Sequence, residues 1–160
     1  MIRFRDDPRG FPERPPSEVE WEDLLVRVEI APRALRVAVD DAGAGPVVVE
    51  ALREGVLREA LIQASVESMV PGGAAADAAA IEAAGPGGGG LDELLARYAS
   101  LRRRTFAMMQ RRGLNVWDWR ADGGPFDRAT AYQLLQLAAR TDAGLLSAVR
   151  SAGARAGTGA

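Results

Sequence analysis

Apolar side chains recur at helical spacing along four long segments of this 160-residue chain, and none of these segments shows the two-residue alternation of a strand. The first segment begins after Ser17 and has Pro32 inside its pattern. The stretch DDAGAGP at 40–46 ends it, and the second segment covers 47–70. The third covers 91–112, and the fourth runs from about 128 to 152 with Asp127 as its expected N-cap. Four such segments predict an all-α fold, a four-helix bundle.

The segments outside these helices are distinguished by their composition. Residues 1–16 are rich in Arg, Asp and Pro and predict an extended N-terminal arm. Residues 71–90 are rich in Ala and Gly, which predicts a flexible low-complexity crossover between the second and third helices. We therefore expect residues 17–152 to form a single helical domain and residues 153–160 to fray.

The residue types that the chain lacks exclude several kinds of chemistry. It has no Cys and no His, so it offers no thiolate nucleophile and neither thiolate nor imidazole ligands for a metal. All 20 basic residues are Arg, which excludes a Schiff-base lysine. A net charge of −2 argues against nucleic acid as a partner. No apolar run approaches the ~18 residues of a membrane span, and no signal peptide is evident, so we expect a cytoplasmic protein without membrane partners.

Two clusters of side chains outside the apolar pattern have alternative interpretations. The third helix carries a basic run that could bind phosphate, but no aromatic residues interleave it, which favours a solvated face. This run consists of Arg97, Arg102, Arg103, Arg104, Arg111 and Arg112. Trp117 and Trp119, in the loop after that helix, form either the wall of a ligand pocket or part of the core.

Thr141 and Asp142 interrupt the apolar face of the fourth helix. Thr141 falls on the core stripe and Asp142 beside it, among Leu134, Ala138, Leu145 and Val149. A buried Thr can bond the carbonyl one turn back, whereas a buried carboxylate needs a partner or water. Arg58, Arg140 or a buried hydroxyl could pair with Asp142.

The chain resembles the DinB/YfiT-like family of four-helix-bundle proteins. The resemblance rests on the long first helix with its internal proline, in Ala31-Pro32-Arg33-Ala34-Leu35, and on the Trp-containing loop after the third helix. The family's second helix carries a metal-binding His and a downstream Glu, and its fourth carries H-x-x-x-H. The resemblance places the first His on or near Glu54, the Glu at Glu59, and the H-x-x-x-H positions at Thr141 and Leu145.

Members of that family with all three His positions hold a divalent metal at one end of the bundle, and some are thiol-dependent transferases, isomerases or hydrolases. In this chain Leu145 cannot bind a metal and Thr141 is a poor ligand. An oxygen-only site of Glu54, Glu59 and Asp142 is disfavoured, since hard cations usually need more ligands than these. We therefore expect neither a metal nor another cofactor.

Three functions remain open on this basis. The first is a metal-free DinB-like protein that binds a small ligand at the former metal end, or acts as an accessory protein. Another is a metal-independent transferase or isomerase that uses Asp142, Glu54 and Arg residues. The third is a structural protein that forms a homodimer through the Arg face or the Trp loop. The candidate ligand-binding residues are Glu54, Glu59, Trp117, Trp119, Thr141 and Asp142.

Overall fold

The computed structural model describes residues 7–43 and 45–159, and these residues form five α-helices. The helices are α1 (Glu18–Ala42), α2 (Pro46–Met69), α3 (Ala78–Ala84), α4 (Leu91–Gln110) and α5 (Ala131–Thr158), after a 3₁₀ turn at Pro8–Gly10. The described residues contain no strand, only an isolated bridge between Arg120 and Thr130. The all-α prediction is therefore confirmed, with five helices and not four.

The four long helices pack side by side in the ring order α1, α5, α2, α4. Helices α1 and α2 lie diagonally opposite each other, as do α4 and α5, and the short α3 contacts α2. Of the neighbouring long pairs, α1 and α4 touch least. Within the described ranges, no helix has the length and apolarity needed to cross a membrane.

The core consists of two apolar clusters, one in each half of the long helices. One cluster, which we call the first apolar half, contains, among others, Trp21, Val28, Ile62, Phe106 and Leu134. The second half contains, among others, Leu35, Leu52, Leu94, Leu145 and Val149. On each long helix the residues of one cluster end and those of the other begin near the middle. The bundle therefore has a central layer that belongs to neither cluster.

The boundaries of α5 differ from the predicted ones. Helix α5 begins at Ala131 because Thr130 and Gln133 form a reciprocal capping box. Asp127, the predicted cap, instead accepts a hydrogen bond from the Gly123 backbone N–H at 2.7 Å. At its other end α5 continues to Thr158, and Gly153 lies so close to α1 that an added Cβ would be 2.9 Å from the Ala42 Cβ.

The segment before α1 is bound to the start of α5. The Gln133 side chain donates to the Phe11 carbonyl at 2.8 Å, and the Thr130 hydroxyl donates to the Glu13 carbonyl at 2.7 Å. An ion pair of 2.9 Å joins Glu13 to Arg120. The predicted arm at 1–16 thus has fixed contacts over its later residues, and residues 1–6 lie outside the described part of the chain.

Candidate functional site

A buried polar cluster fills the central layer between the two apolar halves, and all four long helices contribute to it. Helix α1 supplies the Val28 carbonyl, α2 supplies Glu59, α4 supplies Tyr98 and Arg102, and α5 supplies Asp142. We call these groups the Arg102 cluster. It lies near mid-length of the long helices, and α5 continues for sixteen residues beyond Asp142.

The guanidinium of Arg102 is the centre of this cluster. Its Nε and Nη2 donate to the two oxygens of Glu59 at 2.6 and 2.9 Å. Its Nη1 and Nη2 donate to the two oxygens of Asp142 at 3.0 and 2.9 Å. A bidentate pair on each side is the strongest arrangement that an arginine forms with carboxylates. One cation therefore joins α2, α4 and α5.

The bond from Arg102 to α1 follows from the proline inside that helix. Pro32 has no backbone N–H, so it cannot donate to the carbonyl four residues earlier, which belongs to Val28. Arg102 Nη1 donates to this carbonyl in its place. The guanidinium thus satisfies an acceptor that the helix cannot satisfy itself, and the fourth long helix joins the cluster.

Tyr98 completes the cluster one turn before Arg102. Its hydroxyl donates to Asp142 Oδ1 and accepts from Arg102 Nη2 at 3.2 Å. The guanidinium also lies 5.4 Å from the centre of the Tyr98 ring. Burial, and then the negative charge of Asp142, raise the pKa of Tyr98 well above its usual value. The phenol therefore remains a donor to Asp142.

The cluster is almost completely buried and internally satisfied. Glu59 and Tyr98 are fully buried, Arg102 is 2% exposed and Asp142 is 6% exposed. Burial by itself opposes the charged form of Arg102, but the interactions with Glu59 foremost, and with Tyr98 and Asp142, together outweigh it and raise the pKa of Arg102 well above its usual value. Among the described residues no buried side-chain nitrogen or oxygen lacks a hydrogen-bond partner.

Two of the predicted site residues, Glu59 and Asp142, come together in this cluster. Thr141 is buried beside Asp142 on α5, while Glu54 lies on the exposed surface of α2. Leu145 packs against Gly55, where an added Cβ would lie 2.9 Å from a Leu145 methyl carbon. Of the positions taken from the family resemblance, Glu59 thus lies in the cluster and Leu145 packs against α2, whereas Glu54 does not reach the carboxylates.

The two loop tryptophans lie apart from the Arg102 cluster. Both are partly buried against the first apolar half. Trp117 borders a shallow pocket with Trp21 and Asn115, and Arg14 lies 6.0 Å from its ring centre. Trp119 borders a different pocket beside Glu67 and Met108. The structure therefore does not bring Trp117, Trp119 and Asp142 into one pocket.

Arg102 is the residue that the sequence interpretation missed. The basic run predicts a solvated face of α4, and Arg102 is the buried exception to this prediction. The signal was present, because Arg102 lies four residues after Tyr98 and three before Thr105, which are both on the apolar stripe. The partner of Asp142 is accordingly Arg102 with the Tyr98 hydroxyl, and not Arg58 or Arg140.

The donor chemistry at this place does not fit the divalent metal that the family resemblance implies. Both oxygens of Glu59 and both oxygens of Asp142 accept hydrogen bonds from Arg102, so a metal would have to displace a guanidinium. Leu145 supplies no ligand atom. Within the described residues, no group of three or more acidic side chains is placed to hold a metal ion.

A groove between α1 and α4 reaches the cluster from outside. It has a volume of about 750 Å³ and lies between the two neighbouring helices that contact each other least. Its apolar wall includes Ile30, Pro32, Leu95 and Phe106. Its charged lining consists of Glu29, Arg33, Arg36, Asp92, Arg102 and Arg103.

Half of the charged side chains in this groove are already paired. Arg36 bonds Asp92 at 2.7 Å, and Arg102 is held by Glu59 and Asp142. Arg33 and Arg103 are exposed and have no hydrogen bond or ion pair with another described residue. The groove therefore combines an apolar wall with two arginines whose donors are available.

Comparison with protein-family models, with curated proteins and with solved structures finds no match to this chain.

Proposed function

We propose that this protein is a metal-free, DinB-like helical bundle that binds a small amphipathic organic anion in the groove between α1 and α4. The observation that carries the proposal is the groove itself, which places an apolar wall beside the available Arg103. Its volume lies within the range of about 300–1,000 Å³ of small-molecule sites. The binding site proposed here replaces the bundle-end pocket expected from the family resemblance.

The charge balance of the groove favours an anion. Its lining contains four arginines against two acidic residues, and after the internal pairs are counted the available charges are those of Arg33 and Arg103 against Glu29. A guanidinium binds a carboxylate through two parallel hydrogen bonds. The apolar wall then accommodates the hydrocarbon part of the same ligand, so a carboxylate with an alkyl or aromatic body fits both features.

The Arg102 cluster supports a binding role over a catalytic one. A general acid or base must reach the proton it transfers, yet Glu59 is fully buried and each Asp142 oxygen is engaged by Arg102. Glu54, the other acid–base candidate, is exposed and lies outside the cluster. We assign the cluster to holding the helices that form the groove, and not to chemistry on a substrate.

The proposal is tested by calorimetric titration with decanoate, an alkyl carboxylate. We expect saturable binding by the native chain and a loss of roughly tenfold or more in affinity for Arg103→Gln, because a charge-assisted hydrogen bond is removed. Arg104→Gln is the matched control, since Arg104 is the exposed neighbour of Arg103 and does not line the groove. It should bind as the native chain does.

Two further measurements distinguish the groove from detergent-like adsorption. Decyltrimethylammonium has the same alkyl chain with the opposite charge and should bind much more weakly. Ala99→Phe places a ring in the groove and should abolish decanoate binding while the circular dichroism of the protein stays helical. Equal binding of both amphiphiles, or unchanged binding in both Arg103→Gln and Ala99→Phe, would overturn the proposal.

A further inference from the structure

Helix α1 has a second apolar face, opposite the one that it buries. Its core face contains Trp21, Leu24, Val28, Leu35 and Val39, all buried. On the other side Val19, Val26, Ile30 and Val37 are exposed by 64, 56, 56 and 57%. Among the large apolar side chains, these four account for most of the strongly exposed ones in the described part of the chain.

These four residues have the spacing of a coiled-coil seam. Val19 and Val26 are seven residues apart, as are Ile30 and Val37, and Val26 and Ile30 are four apart. Asp23 and Arg33 occupy the two remaining positions of the same stripe. At 3.6 residues per turn, all six fall within about 80° of arc and span about 27 Å of helix. We call these six residues the outer stripe.

The outer stripe is complementary to itself when it is reversed. About a twofold axis at the level of residue 28, Val19 lies opposite Val37, Val26 opposite Ile30, and Asp23 opposite Arg33 of the second copy. Asp23 and Arg33 are exposed and have no hydrogen-bond or ion-pair partner among the described residues. A parallel arrangement would instead oppose Asp23 to Asp23 and Arg33 to Arg33, which is repulsive.

From this pattern we infer that the outer stripe is a homodimer interface in which two α1 helices pack antiparallel. Asp23 of each copy meets Arg33 of the other, so the same contact occurs twice, as the twofold symmetry of a self-complementary patch requires. A single helix pair of this length belongs to the small class of interfaces, so the dimer is expected to be weak and reversible. Ile30 and Arg33 belong both to the stripe and to the groove lining, so the dimer engages these two residues, whereas Arg103, on α4 and outside the stripe, remains available to the groove.

Charge exchange tests both the interface and its direction. In sedimentation equilibrium, Asp23→Arg and Arg33→Asp should each raise the dimer dissociation constant roughly tenfold or more, because each creates like-charge contacts. An equimolar mixture of the two variants should form a heterodimer, since every Asp23→Arg protomer then meets an Arg33→Asp protomer with both charge contacts attractive. Neither variant changes the core face of α1, so both should remain helical.

An apolar site provides the matched control. Val26→Glu, in the centre of the stripe, should abolish the dimer, whereas Val47→Glu should leave it unchanged although Val47 is equally large and 62% exposed. A native chain that stays monomeric up to about 1 mM overturns the inference. A native dimer that survives Val26→Glu, or variants whose mixture does not associate, overturns the antiparallel α1 interface and points to another surface.

Discussion

Tyr98 shows how a single buried phenol makes the stability of the fold depend on pH. Its pKa is raised in the folded state above the usual value of 10.0, so the folded protein keeps this proton at a pH where the unfolded chain releases it. The stabilising contribution is therefore complete below pH 10 and is lost as the pH rises from about 10 through the folded-state pKa. The local reason for the raised pKa is the burial of the phenol, followed by the negative charge of Asp142.

Tyr98→Phe is expected to flatten this alkaline loss of stability. One proton accounts for up to about 1.4 kcal/mol per pH unit in the free energy of unfolding. Urea unfolding measured between pH 9 and pH 11 should show this slope in the native chain and a smaller one in Tyr98→Phe. Tyr132→Phe, which removes the other tyrosine, should keep the slope because Tyr98 is still present. A slope unchanged by Tyr98→Phe would contradict this account.

At the scale of single residues, the sequence was informative where a polar side chain occupied a position of an apolar helical stripe. Thr141 and Asp142 stood out because a hydroxyl and a carboxylate interrupt an apolar stripe, and both are buried. Arg102 did not stand out within a run of arginines, although its spacing from Tyr98 and Thr105 places it on the apolar stripe of α4. Composition described the run as a whole, whereas burial is decided separately at each helical position.

At the scale of the element, the proline of α1 and the arginine of α4 are energetically linked. Pro32→Ala restores an N–H that can donate to the Val28 carbonyl, which lessens the need for Arg102 at that acceptor. We expect Arg102→Met to destabilise the fold by about 1 kcal/mol less in the Pro32→Ala background than in the native one. A double-mutant cycle in urea measures this coupling. Additive effects, within about 0.3 kcal/mol, would show that the two residues act independently.

The element boundaries show what sequence patterns could and could not supply. The four long helices follow from the apolar period, because each of them buries a stripe that contributes to both core halves. The start of α5 was misplaced, since Asp127 and Thr130 are both suitable capping residues and only the turn around Gly123 separates their roles. Its extension to Thr158 depends on contact with α1 at Ala42, which no local pattern contains.

At the scale of the whole molecule, one internal cation lies where the two apolar halves meet. Helices α2 and α5 contact the Arg102 guanidinium through carboxylates, and α1 contacts it through a backbone carbonyl. Helix α4 carries Arg102 itself. Three buried charges and one backbone carbonyl, distributed over four helices, fix the positions of the helices along the bundle axis, because sliding any one helix breaks a buried contact with Arg102. This arrangement could not be predicted from sequence, since it joins residues 28, 59, 102 and 142 through the tertiary fold alone.

The central claim is that the fold is built around the Arg102 cluster, and chemical unfolding of Arg102→Met against Arg103→Met tests it most directly. The account predicts that Arg102→Met loses about 3–5 kcal/mol, because Glu59 and Asp142 remain buried without their cation. The exposed neighbour Arg103→Met should change stability by no more than about 0.5 kcal/mol. Adding Glu59→Gln and Asp142→Asn to Arg102→Met should recover part of the loss by removing the buried charges. Equal stability of Arg102→Met and Arg103→Met would contradict the account.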